Sequence, residues 1–185
     1  MEILIDEDAL ITFHEILARL YEKTEYPITL GYSEGMVQVC IERPLTDIYN
    51  FIPFLHLLHK AAILMDTIIT FHPFVDGNKR VALLATYYFL YWNGYDLIIP
   101  EDAADFTIEI AEGKHDPNDI LSWLSRHSIH NFRTILRNKL LTAFIWLIGD
   151  RPKFGSLYLV FLLPMAFTPY PFLFFRHLIA KKARK

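Results

Sequence analysis

Between Asp6 and Thr24 the apolar residues Leu10, Phe13, Ile16, Leu17 and Leu20 recur at intervals of three and four, with acids ahead of them. That spacing predicts a helix with one buried face, its first turn acidic as the helix dipole favours. Pro27 and Gly31 break the pattern, and "SEGMVQVCIERP" resumes it as a short helix that ends before Pro44. The next helix is expected to start at Pro53. It carries a wide apolar stripe through Leu55, Leu58, Ala62, Met65 and Ile69 and stops just after His72, at Pro73. From Asn78, "NKRVALLATYYFLYWNGY" has no interior Gly or Pro, is apolar almost all round, and ends at Asn93-Gly94. This is the expected central buried helix. Two more helices are predicted in "PEDAADFTIEIAEG" and "DPNDILSWLSRH", each opened by proline and acids. No strand-period segment of any length interrupts the series, so the fold class is all-α.

The pattern changes after about His127. Residues 140–148 are apolar, "GDRPK" intervenes, and residues 154–175 carry no charge before the basic end "RHLIAKKARK". This run is long enough for a membrane span, with its basic end suited to the cytoplasmic side. Pro164, Pro169 and Pro171 argue against an uninterrupted spanning helix and for a buried or interface-forming helical extension. The expected division is a domain over 1–128 and a hydrophobic helical C-terminal extension over 129–185.

Composition narrows the function less than pattern does. With 185 residues the chain can bury a real core, and a formal charge of −3 gives no global basic field, so nucleic acid is not an expected partner. Cys40 is the single cysteine, which excludes an internal disulfide framework and a cysteine zinc cluster. It reads as a small core hydrophobe. The acidic start "MEILIDEDAL" lacks the order of a signal peptide, and the expected location is the cytoplasm.

The densest chemistry lies in "FHPFVDGNKR", residues 71–80. A helix beginning at Asn78 leaves its first N–H groups free beside a partial positive charge, and Lys79 and Arg80 add two cations. Gly77 lets a phosphate approach the backbone, and Asn78 can hydrogen-bond one of its oxygens. Asp76 can hold Mg²⁺, which prefers one or two carboxylates together with substrate phosphates. His72 can take a proton at neutral pH. Together these residues suit phosphoryl or nucleotidyl transfer. A loop with Asp and Gly ahead of a helix, and a histidine beside it, are also common structural features, so spacing leaves both readings open.

The stretch "HPFVDGNKR" resembles the signature of the Fic/Doc (Fido) family, and Lys79 in place of a glycine resembles its Doc-like, death-on-curing branch. "SEGMVQVCIERP", "KAAILMDTII", "FLYWNGYDL" and "DILSWLSRH" are similar to further blocks of that branch, so the resemblance covers roughly residues 3–128. It implies a Fido-type helical bundle around a central helix, with His72 as catalytic base and Phe74 as the buried anchor of the loop. It further implies Asp76 as the Mg²⁺ ligand and Gly77, Asn78, Lys79 and Arg80 as the nest for ATP phosphates. The fuller Fic signature has a second arginine where this chain has Leu83. Doc-like members also lack it, and that branch phosphorylates a translation elongation factor with the nucleotide reversed. The resemblance therefore favours a kinase acting on a Ser or Thr hydroxyl of a protein over an AMP transferase or a non-catalytic binding module. The family's self-inhibiting motif is missing, since Ile108 and Leu30 stand where Ser or Thr would precede Glu112-Gly113 and Glu34-Gly35. A toxin restrained by a separate antitoxin is what this implies.

Other candidates are weaker. His56 with His59, and His127 with His130, have a spacing that can serve a metal, but ordinary half-buried positions suit them better. Tyr87, Tyr88, Phe89, Tyr91 and Trp92 can stack on an adenine, yet on so apolar a helix they are first of all core.

Overall fold

A computed structural model describes residues 4–46 and 56–131. Six helices occur among the described residues: α1 (Glu7–Tyr21), α2 (Glu34–Glu42), α3 (Leu57–Phe71), α4 (Asn78–Trp92), α5 (Ala103–Ala111) and α6 (Pro117–His127). A 3₁₀ turn (Arg43–Leu45) follows α2. The all-α expectation holds, and each predicted helix within the described residues is present. The proposed start at Pro53, the apolar run 154–175 and the rest of the extension beyond Asn131 lie outside the described residues. Among the described residues no helix is long and apolar enough to cross a membrane.

Helix ends follow from the local sequence. Asp6 caps α1 by accepting from the Ala9 N–H at 2.8 Å. Asp116 caps α6 in a reciprocal box with Asp119, and Pro117 occupies the first helical position. The α4 helix stops at Asn93, followed by Gly94 in the left-handed region at φ 87°.

α3 and α4 form the central pair, with α6, α5 and α2 against α3 and α1 against α4. Along α4 every residue from Val81 to Tyr91 is buried, which explains why its apolar residues encircle it. Leu83, at 2% exposure, is among them. Tyr88 stacks on Phe13 of α1 at 5.1 Å, and Tyr87 on Tyr91 at 6.1 Å, so these rings are core. Arg43 ties the 3₁₀ turn to α3. Its guanidinium donates to Asp66 Oδ2 and Thr67 Oγ1, both at 3.1 Å, and lies over Phe71 at 5.4 Å.

One element escapes the periodicity. β1 (Tyr95–Leu97) and β2 (Ser128–His130) pair antiparallel, with Tyr95 opposite His130 and Leu97 opposite Ser128. Three residues are too few for alternation to show in sequence, and the partners are far apart in the chain.

Cys40 is fully buried, and burial pushes its thiol up to about 12. Almost no thiolate exists at neutral pH. We expect no alkylation by iodoacetamide in the folded chain and one labelled thiol after unfolding, read by intact mass. Rapid labelling of the native chain would contradict this packing of α2.

Candidate active site

The α3–α4 junction places the 72–80 cluster. His72 caps α3 at φ 50°, ψ 59°, the single non-glycine residue with positive φ among those described. A left-handed β-carbon costs roughly 1–2 kcal/mol, and such strain concentrates at functional sites. The His72 ring is exposed, and its Nδ1 lies 3.1 Å from the Thr70 carbonyl oxygen. A carbonyl can only accept, so a proton sits on Nδ1, and in the neutral ring this leaves the lone pair on Nε2. This is the tautomer a general base requires.

Phe74 is buried, and its backbone is held from two sides. The Phe74 N–H donates to Asn78 Oδ1 at 2.9 Å, and Asn78 Nδ2 donates back to the Phe74 carbonyl at 2.7 Å. Asn78 was expected to turn its amide to a phosphate. Instead that side chain, 7% exposed, closes the loop, and what it offers directly to an anion is its backbone N–H. Helix geometry leaves this N–H and that of Lys79 without an intrahelical acceptor, while Arg80 and Val81 N–H both donate to Gly77 O at 2.9 Å.

A short backbone pairing supports the loop from the chain before α2. Ser33 N–H donates to Pro73 O and Val75 N–H to Gly31 O, both at 2.9 Å, in an antiparallel bridge between Tyr32 and Phe74. At Gly31, φ +147°, a Cβ would stand 2.8 Å from Val75 Cγ2, so any side chain there would be strained and would displace Val75. Leu30, Tyr32 and Val75 form an exposed apolar rim beside this pairing, Val75 at 69%.

Asp76 is exposed, and its Oδ1 accepts the Gly77 N–H at 2.6 Å. Gly77 adopts φ +81°, where its absent Cβ would lie 3.2 Å from Ile28 Cγ2. Glycine thus serves both the turn and the tight contact. Lys79 is exposed and Arg80 half-buried, so two cations flank the positive end of α4.

Three contributors lie outside the motif. His14 of α1, 1% exposed, gives its Nε2–H to the Asp76 carbonyl at 3.0 Å and stacks on Phe74 with ring centres 4.3 Å apart. Burial lowers its pKa, against the pull of Asp76, which favours the neutral ring. Tyr21 lies under the Arg80 guanidinium at 4.5 Å, and Ile28 floors Gly77. The one sequence signal for His14 was a histidine on the apolar face of Leu10, Phe13 and Leu17.

The histidine pairs are not brought into a metal set. His56 and His59 have ring centres 6.3 Å apart, His127 bonds to Trp123 O, and His130 packs edge-on to Tyr95. No group of three or more metal-ligating side chains occurs among the described residues. An exposed carboxylate beside a helix start still fits Mg²⁺, whose remaining ligands would come from phosphates and water.

Residues 4–90 match the family model described as Fic/DOC family. Toxin Doc of Mycolicibacterium smegmatis (strain ATCC 700084 / mc(2)155) is 37% identical over 78 residues, 42% of this chain and 56% of that protein. The chain thus spans little more than half the length of that relative. A match that runs through the whole 72–80 loop, alongside a relative that carries the Doc name, identifies residues 4–90 as a Fic/Doc-family segment similar to the Doc-like branch.

Proposed function

We propose that the chain is an ATP-dependent protein-modifying transferase of the Doc type. It phosphorylates a Ser or Thr hydroxyl of a protein such as a translation elongation factor, as the toxin of a toxin–antitoxin pair in the cytoplasm. The observation that carries the reading is the juxtaposition of an exposed His72, its proton held on Nδ1, with a helix-start nest bearing Asp76, Lys79 and Arg80. The relative's name, Toxin Doc, supports the toxin role.

His72 Nε2 accepts the proton of the target hydroxyl as its oxygen attacks the γ-phosphorus. The new O–P bond forms while the bond from that phosphorus to the β,γ-bridging oxygen breaks, and ADP leaves with the electron pair. The N–H groups of Asn78 and Lys79, with the Lys79 and Arg80 side chains, stabilise the phosphate oxygens. Asp76 would hold Mg²⁺, which supplies charge neutralisation on the phosphates. Leu83 is buried in the core, so no cation stands there to grip a γ-phosphate in the manner of AMP transferases, and Lys79 adds bulk and charge where those enzymes have glycine.

Incubation of the full chain and a cell extract with γ-labelled and, separately, α-labelled ATP tests this. Label is expected on protein from the γ-position alone. Transfer from the α-position alone would replace phosphorylation by AMP transfer, and no transfer under either label would favour the non-catalytic binding module.

A further inference from the structure

Helix α1 lies outside the nucleotide motif, yet one face of it meets both ends of the nest. His14 donates to the Asp76 carbonyl at 3.0 Å, 62 residues away in the chain, and its ring also stacks on the loop anchor Phe74. Two turns further along α1, the Tyr21 ring lies 4.5 Å from the Arg80 guanidinium. Both side chains are more than nine-tenths buried. The Arg80 guanidinium lies over the Tyr21 ring face, with the Tyr21 hydroxyl also within its influence.

We propose that His14 and Tyr21 are positioning residues that set the two ends of the nest separately. His14 fixes the Asp76 peptide and with it the root of the carboxylate offered to Mg²⁺; Tyr21 fixes the direction of the Arg80 guanidinium toward phosphate. The inference rests on the nucleotide reading above. It adds that metal-dependent and metal-independent binding are governed from different turns of one helix.

A bound carboxylate depends on the groups that orient it, and loss of such an outer partner weakens metal affinity by about 10–100-fold. The His14 donor acts on the carboxylate end, while its ring packs on Phe74. Replacing His14 with phenylalanine keeps a ring against Phe74 but removes the donor to Asp76. Tyr21 acts on a cation that meets phosphate with or without metal, and loss of the ring removes a cation–π contact worth roughly three- to tenfold in affinity.

The test is calorimetric titration of the full chain with ATP, once with Mg²⁺ and once with EDTA, alongside a thermal melt of each variant. His14→Phe is expected to weaken ATP binding about tenfold with Mg²⁺ while the EDTA titration stays within about twofold. His14→Gln, which retains an amide donor, is expected to recover most of the loss. Tyr21→Leu is expected to weaken both titrations together, and Tyr21→Phe to lose less than Tyr21→Leu. If His14→Phe does not fold, His14→Asn, whose shorter amide cannot reach Asp76, takes its place. Equal losses with Mg²⁺ and EDTA for the His14 variants, or no loss at all, would overturn the proposal. A wild-type chain that binds no ATP under either condition would instead fail the nucleotide reading, and the inference with it.

Discussion

Replacing His72 with alanine is expected to lower transfer of the γ-phosphate by about 10²–10⁴-fold, the usual contribution of a positioned general base. The loss should fall on the chemical step. The His72 ring is exposed at the end of α3, and its Nδ1–H bond to Thr70 is local, so little packing is lost with it. The backbone conformation is a separate matter, because residue 72 sits at φ 50° and alanine is no more comfortable there than histidine. His72→Asn separates the two effects: asparagine tolerates the left-handed region but has no basic nitrogen at neutral pH. Both variants should bind Mg²⁺-ATP within about threefold of wild type, judged against the tenfold per 1.4 kcal/mol scale. Single-turnover transfer of labelled phosphate is the measurement. Transfer by His72→Asn at more than a third of the wild-type rate would remove His72 from the chemistry, and toxicity that survived both substitutions would point to a binding role.

The helices were legible because their periodicity is long and their stops are explicit. α4 illustrates this: fifteen residues from Asn78 to Trp92, with Asn93 and Gly94 following, coincide with the apolar run. The β1–β2 ribbon was not legible, since three-residue strands show no period and their pairing joins the end of α4 to the end of α6. The site divides the same way. Residues 72–80 are contiguous, so spacing alone assembled His72, Asp76 and the helix start. The wall behind them comes from α1 and from the chain before α2. No local pattern links His14 to Asp76 or Gly31 to Val75. Sequence also names the donors and acceptors a side chain owns without showing which are already engaged. Asn78 is the case in point.

Asn78→Ala is expected to destabilise the chain by about 2–4 kcal/mol, more than a surface change would give. The figure follows from what the amide does. It accepts from the Phe74 N–H at 2.9 Å and donates to the Phe74 carbonyl at 2.7 Å, within a region where Phe74 is 3% exposed. Alanine would leave both backbone groups buried without these partners, at ~1–3 kcal/mol each, less whatever water reaches them. Asn78→Asp should be no better, because it keeps the acceptor but turns a carboxylate oxygen toward the Phe74 carbonyl and sets a negative charge in the nest. Urea denaturation gives the stability and calorimetry the ATP affinity. If the amide were chiefly a phosphate ligand, ATP affinity would fall while the urea midpoint stayed within about 0.5 kcal/mol of wild type, the range of an ordinary surface substitution. If it is chiefly the brace of the loop, stability falls first. The loss of ATP binding then follows from the opening of the turn that carries Asp76 and Gly77, and saturating ATP should restore part of the lost stability through binding to the folded chain.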